Sequence, residues 1–155
     1  MMSEQKAPAG RIVVGVDGSP SSRAALAWAV RQAELTGASI DAVTVWHYPV
    51  MVGGYAWAPV SMVDESADFA SIATKELTDA ISETVGPDSP VKISASVQEG
   101  NAAQVLLESA DGADLLVVGS RGHGGFTGTL LGSVSQHCAH YAPCPLVIIR
   151  KTRDS

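Results

Sequence analysis

The chain has 155 residues, of which 46% are hydrophobic and 17% charged, and a formal net charge of −6. This composition suits one compact domain and excludes an intrinsically disordered chain. The acidic balance argues against a general surface for nucleic acid or anionic membranes, because both need a basic face. The polar start "MMSEQKAPAG" lacks the apolar core of a signal peptide, and no apolar run is long enough to span a membrane.

Predicted strands and helices alternate along the chain. The first strand, "RIVVGVD", precedes a helix for which Ser19 is the predicted N-cap and Pro20 lies in the first turn. Asn101 is the predicted cap of the third helix. The predicted strands are 11–17, 39–46, 91–97, 114–119 and 146–151. The predicted helices are about 20–36, 66–85, a short one within 99–113, and Ser133 to about Ala142.

Strands that alternate with helices across short connections predict a parallel sheet with helices on both faces. We expect a single-domain, open, Rossmann-like α/β fold of five strands in the order 3-2-1-4-5. Residues 11–151 would form this domain, with a flexible N-terminus at 1–10 and a loose tail at 152–155. Two cysteines, Cys138 and Cys144, are too few for a disulfide framework, and free thiols fit a cytoplasmic protein.

Ligands of such sheets bind beyond the carboxyl ends of the strands, where the strand order reverses. The fourth strand leads into "GSRGHGGFTGTLLGSVS", which contains six glycines in seventeen residues. Ser133 and Gln136 have the spacing of a capping box, so the last helix should begin at Ser133. Its unsatisfied amides would bind a phosphate, Gly132 would let the backbone come close, and Ser133 or Ser135 would add a hydroxyl donor.

The glycine spacing identifies no P-loop, because no Gly-Lys-Ser or Gly-Lys-Thr occurs, and no G-x-G-x-x-G follows the first strand. Instead, Gly119, two residues, Gly122, nine residues and Gly132-Ser133 resemble the nucleotide-binding signature of the universal stress protein family, in its ATP-binding branch. The stretches "IVVGVDGSPSSRAALAWA", "DLLVVGSRGHGGF" and "LLGSVSQHCAHYAPCPLVIIR" are also similar to that family. The resemblance covers roughly residues 10–151.

This resemblance implies roles for residues along the rim of the sheet. Asp17, with the backbone of Gly15 and Val16, would contact adenine and ribose, and Val45 or Trp46 would form part of the base pocket. The family's Pro-Thr-Asp strand end is Gly15-Val16-Asp17 here, which keeps the acid and loses the side-chain contacts before it. The implied ribose and phosphate contacts are Val118, Gly119, Ser120, Gly122, Gly132, Ser133, Val134 and Ser135, with charge from Arg121 and His123 and further backbone from Gly124 and Gly125.

Simpler interpretations stay open for several of these residues. Asp17 could bond only its own turn, Ser133 could be only a helix cap, and Gly124, Gly125 and Gly128 could be plain flexible loop. His137, Cys138 and His140 lack a fourth ligand at sensible spacing, so we predict no metal site.

For function, the sequence favours an ATP-binding, nucleotide-responsive stress regulator, with or without Mg²⁺, rather than an enzyme. No Ser-His-acid set, paired carboxylates or Walker-type lysine predicts a catalytic residue, so hydrolysis should be slow or absent. An enzyme that cleaves or transfers an adenylyl or phosphoryl group, and a cyclic AMP-binding protein, are the alternatives.

Two predictions concern partners. The aromatic segment 47–63 is too long for a turn and would be either a lid over the nucleotide or a surface for an unidentified protein. The last strand, within "CPLVIIRK", would be an apolar sheet edge, so we expect a homodimer paired through it. Members of the family commonly dimerise in this way.

Overall fold

The computed structural model describes residues 10–46, 66–121 and 131–150, with the side chains of 66–68 excepted. The predicted lid segment 47–63, both chain ends and most of the glycine loop lie outside these ranges. The five strands are β1 (Arg11–Gly15), β2 (Ser39–Trp46), β3 (Ile93–Glu99), β4 (Leu115–Gly119) and β5 (Leu146–Ile149). The four helices of the described residues are α1 (Pro20–Thr36), α2 (Ser66–Thr84), α3 (Ala102–Ser109) and α4 (Ser133–Tyr141).

The strands form one parallel sheet in the order β3-β2-β1-β4-β5, which confirms the predicted fold. Successive side chains of β1 point to opposite faces. Ile12 and Val14 therefore pack with α1 and α2, whereas Val13 packs with α3 and α4. The order of the strands reverses between β1 and β4, so a crevice is expected where these two strands end. None of the described helices is long and apolar enough to span a bilayer.

The strand boundaries differ slightly from the prediction. β1 ends at Gly15 rather than at residue 17, because the Asp17 carboxylate accepts a hydrogen bond from the Ser19 N–H (2.9 Å) and turns the chain. β3 lies two residues further along than predicted, since its register follows β2 as far as the pair Trp46 and Glu99. Local periodicity does not determine such a register.

Two of the three predicted helix starts are correct in detail. Ser19 accepts a hydrogen bond from the Ser22 N–H (3.3 Å), and Asn101 accepts one from the Gln104 N–H (3.0 Å). The capping box predicted for α4 is wrong, although the helix does begin at Ser133. Its N-cap is Gly132, which has no side chain to cap with, and the Gln136 side chain instead donates to the Leu131 carbonyl (3.0 Å).

The rim of the sheet has a step at its reversal point. Gly15 is the last residue of β1 and pairs with Val43, but β2 continues beside β3 for three more residues, to Trp46. At about 3.3 Å per residue, β2 therefore extends roughly 10 Å beyond the end of β1. The crevice has a low floor over β1 and β4 and a high side at β2.

Candidate functional site

An open cleft of about 700 Å³ lies at this rim, within the size range of small-molecule sites. It is lined by the ends of β1, β2 and β4 and by residues of α2, α3 and α4. The structure brings most of the sequence-predicted site together in this cleft. The predicted residues that line it are Gly15, Val16, Asp17, Val45, Trp46, Val118, Gly119, Arg121, Gly132, Ser133, Val134 and Ser135.

The remaining predicted residues fall into two groups. Ser120 is buried and does not line the cleft; its backbone joins β5 to α4 by accepting from the Gly132 N–H (2.6 Å) and donating to the Ile149 carbonyl (2.8 Å). Gly122, His123, Gly124 and Gly125 lie outside the described residues.

The α4 N-terminus supplies donors at one end of the cleft. The N–H groups of Ser133, Val134 and Ser135 have no carbonyl four residues earlier within the helix. The Gly132 N–H is already bonded to Ser120, so among the described residues three amides rather than four remain for a ligand. With the positive end of the helix dipole behind them, these amides form a site that suits an anion.

The two serine hydroxyls predicted as donors differ in their environment. Ser135 is only 2% exposed, and its hydroxyl lies within hydrogen-bond distance of the carbonyl oxygens of Ser120 (3.1 Å) and Gly132 (3.0 Å). It therefore fixes the start of α4 against the end of β4. Ser133 is exposed at the cleft, and its hydroxyl remains available to a ligand.

A group of buried serines at the start of α1 holds the two strand ends of the crevice together. The hydroxyls of Ser19 and Ser21 lie 3.2 and 2.6 Å from the Arg121 carbonyl oxygen, to which both donate. The Ser22 hydroxyl accepts from the Asp17 N–H (3.2 Å). Sequence reasoning assigned only the cap, Ser19. The run "SPSS" after a strand was the available signal, because clustered hydroxyls bond nearby backbone readily.

Packing alone requires a glycine at position 119. A Cβ there would lie 2.5 Å from the Ser21 Oγ and 2.7 Å from backbone atoms of Ser21 and Ser22. The same holds more weakly for Gly15, whose Cβ would lie 2.9 Å from a methyl group of Leu106. Part of the glycine pattern therefore serves the close approach of helices to strand ends.

Asp17 forms the local turn of the simpler interpretation, and its contact with ribose stays a prediction. One carboxylate oxygen accepts from the Ser19 N–H, as expected for an Asp that bonds its own turn. The residue is exposed and lines the cleft, and among the described residues its second oxygen has no hydrogen-bond partner.

The step in the rim exposes backbone groups of Val45. The Val43 carbonyl accepts from the Val16 N–H (2.9 Å) on the β1 side, and the Trp46 carbonyl accepts from the Gly100 N–H (2.9 Å) on the β3 side. The backbone N–H and C=O groups of successive β2 residues therefore face β1 and β3 in turn. The backbone N–H and C=O groups of Val45 therefore face the β1 side, at a point beyond the end of β1. The next acceptor in that direction, the Val16 carbonyl, accepts from the Thr44 hydroxyl (2.7 Å), and no backbone hydrogen bond joins it to the Val45 N–H. Among the described residues, the Val45 N–H donor and C=O acceptor therefore have no partner, and they stand side by side at the cleft.

The high side of the cleft includes residues that sequence reasoning missed. Phe69, Ile72, Ala73 and Glu76 of α2 all line it. The Phe69 ring stacks on Trp46, with centroids 6.3 Å apart and planes 15° apart. No local signal marked these α2 residues, because a helical period indicates a buried face without indicating which strand end it overhangs.

The His137, Cys138 and His140 set does not form a metal site in the described residues, where no group of three or more such ligands comes together. Cys138 is fully buried, and burial raises the pKa of its thiol to about 11, which disfavours the thiolate that binds metals. His137 and His140 instead lie against Tyr141, at 5.0 and 6.1 Å between ring centroids.

Fold and cleft together define an open doubly wound α/β protein with a cleft at its topological switch point, where ligands of such folds bind. The family model described as "Universal stress protein family" matches residues 8–150, and the chain belongs to this family. The chain is 37% identical over 139 residues to a universal stress protein of Mycolicibacterium smegmatis, and this alignment covers 90% of the chain and 45% of that protein. The chain thus spans about half the length of the curated relatives it matches.

Two solved structures illustrate the likeness. The universal stress protein UspA from Lactobacillus plantarum has a TM-score of 0.74 at 22% identity, over 94% of this chain and 100% of that one, and so shares the fold. A universal stress protein in complex with cAMP has a TM-score of 0.60 at 26% identity, over 93% of this chain and 98% of that one.

Proposed function

We propose that this chain is an ATP-binding universal stress protein that acts as a nucleotide-responsive regulator. The observation that carries the proposal is that one cleft joins the unpaired Val45 backbone pair to the free amides of α4. A ligand that fills it needs a hydrogen-bonding ring edge at one end and an anion at the other. Nucleotides combine these two features.

The base end suits adenine in particular. The Watson–Crick edge of adenine presents a ring-nitrogen acceptor beside an amino donor. The Val45 N–H and C=O offer the complementary donor and acceptor at neighbouring positions. Asp17, with one carboxylate oxygen left over from its turn, is suited to accept from the ribose hydroxyls.

The anion end suits an extended phosphate chain. The three α4 amides, the Ser133 hydroxyl and the positive charge of Arg121, which lines the same cleft, can contact more than one phosphate group. ATP satisfies more of these donors than a monophosphate does, and this favours ATP as the ligand.

We propose binding rather than turnover, with hydrolysis slow or absent. Among the described residues that line the cleft, the charged side chains are Asp17, Glu76 and Arg121. Asp17 is assigned to ribose and Glu76 lies on the base side, so neither is a base for a water molecule at the terminal phosphate. We also propose a cytoplasmic location, which fits the two free thiols.

Cyclic AMP is the second candidate ligand, because a universal stress protein of similar structure is in complex with it. It would use the same base end but would leave part of the α4 amides unpaired, so we expect weaker binding than for ATP.

Isothermal titration with ATP, ADP, AMP and cyclic AMP, each with and without Mg²⁺, tests this proposal. We expect ATP to bind most tightly. Chromatography of the nucleotide after several hours with the protein should show mostly intact ATP. Absence of ATP binding would contradict the proposed function, and rapid release of ADP would favour the alternative of an enzyme.

Gly132→Val tests the phosphate end. Gly132 has φ −74° and ψ 170°, which valine adopts readily, so the variant should fold while its side chain enters the cleft beside the α4 amides. We expect at least a tenfold loss of ATP affinity. The matched control is Gly86→Val, since nothing lies within 4 Å of a Cβ at Gly86. Equal ATP affinity in the two folded variants would exclude the α4 amides as the phosphate site.

A further inference from the structure

The first half of α2 rises above the crevice. Arg23, the fourth residue of α1, forms an ion pair with Glu83, the eighteenth residue of α2. Both helices run antiparallel to the strands. Because the fourth residue of α1 pairs with the eighteenth of α2, α2 begins fourteen residues further above the rim than α1 does. This offset is about 20 Å at 1.5 Å per residue, before side-chain reach is subtracted. Together with the three extra residues of β2, the early turns of α2 form a wall over the floor made by β1 and β4.

One face of α2 is turned to the cleft. Phe69, Ile72, Ala73 and Glu76 line it and have the i, i+3, i+4, i+7 spacing of a single helix face. Ile72 is 55% exposed, an unusual state for a large apolar side chain inside a cleft. Phe69 is fixed behind it by stacking on Trp46.

Glu76 is the acidic group of this wall. Its neighbour Lys75 is paired with Asp79 at 3.1 Å, and among the described residues Glu76 itself has no ion-pair or hydrogen-bond partner. A carboxylate without a partner in an otherwise apolar wall is available to accept hydrogen bonds from a ligand.

We propose that this wall selects the base of the nucleotide, with Ile72 against the face of the ring and Glu76 accepting from the exocyclic amino group of adenine. The inference rests on the proposed function and deepens it, because it assigns base specificity to side chains of α2 in addition to the backbone of Val45. The amino group carries two hydrogens, so the Val45 carbonyl and the Glu76 carboxylate can each accept one.

The chemistry predicts which bases are rejected. Hypoxanthine and guanine carry a carbonyl oxygen where adenine carries the amino group. That oxygen would face two acceptors, the Val45 carbonyl and the Glu76 carboxylate, and could bond to neither. A glutamine at position 76 has an amide that can donate to this oxygen or accept from the amino group, so it should discriminate less.

The test is titration of the full chain with ATP and with inosine triphosphate. We expect wild-type protein to prefer ATP, and Glu76→Gln to reduce the ATP-to-inosine-triphosphate affinity ratio about tenfold, as for one charge-assisted hydrogen bond. Part of the preference should remain because Val45 still acts. Glu34→Gln is the control, since it removes the same charge from the exposed far end of α1.

A second pair of variants tests the contact of Ile72 with the ring. Ile72→Ala should weaken ATP binding several-fold and leave binding of inorganic tripolyphosphate, which has no base, unchanged. Leu35→Ala is the matched control, because Leu35 is 79% exposed at the opposite end of the fold and should change neither. Both positions are exposed, so these variants should fold.

The outcomes separate the two proposals. An unchanged nucleotide ratio in Glu76→Gln, or an unchanged ATP affinity in Ile72→Ala, would overturn the wall inference while ATP binding stands. Failure of wild-type protein to bind either nucleotide would overturn the proposed function and this inference with it.

Discussion

Gly119 illustrates at the scale of one residue how packing and ligand requirements coincide. It ends β4 at the cleft, yet the atoms that exclude a side chain there belong to Ser21 and Ser22 of α1. The same serines bond both strand ends: Ser21 donates to the Arg121 carbonyl after β4, and Ser22 accepts from the Asp17 N–H after β1. The two strand ends therefore keep their spacing through contacts that do not involve any ligand.

Gly119→Ala should therefore destabilise the fold by about 1–3 kcal/mol, the usual cost of overpacking, because its methyl group would lie 2.5–2.7 Å from α1 atoms that include backbone. Urea-induced unfolding measures this free energy. Gly86→Ala, which meets open space, should stay within about 0.5 kcal/mol of wild type. If the two variants were equally stable, the close approach of α1 to Gly119 would be incorrect.

At the scale of elements, α4 joins the cleft to the core. Its N-terminus opens on the cleft through Ser133, whereas Cys138, in the second turn, is fully buried in the cluster with Leu106 and Leu116. Ser135 fixes the start of the helix between these two regions. The free amides are thus held in place by apolar packing one turn away.

The reactivity of the two cysteine thiols measures how firmly α4 packs on the sheet. Burial raises the pKa of Cys138 to about 11, so at pH 8 its thiol stays protonated and inaccessible. Cys144 is partly exposed. Partial burial raises the pKa of its thiol; the positive charge of Arg11 opposes this effect, and the negative charge of Asp114 adds to it. We expect one thiol per native chain to react with a disulfide reagent at pH 8, and both after unfolding.

Cys144→Ser provides the check on that assignment. The native variant should show almost no reactive thiol at pH 8. A fast native reaction in this variant would mean that α4 leaves the sheet easily, contrary to the packing of Cys138.

At the scale of the whole molecule, β5 is an edge strand. It pairs only with β4 in the described sheet, and its four residues, Leu146–Ile149, are partly exposed. An apolar edge with no charged side chain in the strand is a template for further pairing. The homodimer predicted from the sequence would use this edge, since two copies related by a two-fold axis can pair β5 with β5.

Light scattering tests this prediction, with an expected mass of twice 16.0 kDa at micromolar concentration. Ile148 packs partly against the cluster with Leu106 and Leu116, and Ile148→Lys places a charge beside the paired edge, so it should shift the protein that remains folded towards the monomer. Leu35→Lys makes the same kind of change on an exposed residue of α1 and should leave the dimer intact. A monomeric wild type excludes the dimer, and a folded Ile148→Lys protein that stays dimeric places the interface elsewhere.

The sequence alone determined the features that depend on neighbours along the chain. Alternation of strand and helix patterns predicted the sheet and its strand order, and short-range side-chain chemistry predicted the caps Ser19 and Asn101. The glycine spacing, through the family resemblance that it carries, implied the rim residues that the cleft brings together. The capping box predicted for α4 was wrong although the helix begins at Ser133, because the Ser133 and Gln136 spacing also fits a helix whose N-cap is Gly132.

Only the tertiary structure decided the features that depend on how separate elements are positioned. Among the described residues, the Val45 backbone lacks a partner because β2 extends three residues beyond the end of β1. The pattern of a single strand does not encode this difference. The wall of Ile72 and Glu76 follows from the offset between α1 and α2, and the need for glycine at position 119 follows from the position of Ser21. The physical reason is that hydrophobic periodicity and capping act within a few residues, whereas contacts at the rim join residues about a hundred positions apart, as Ser21 and Arg121 do.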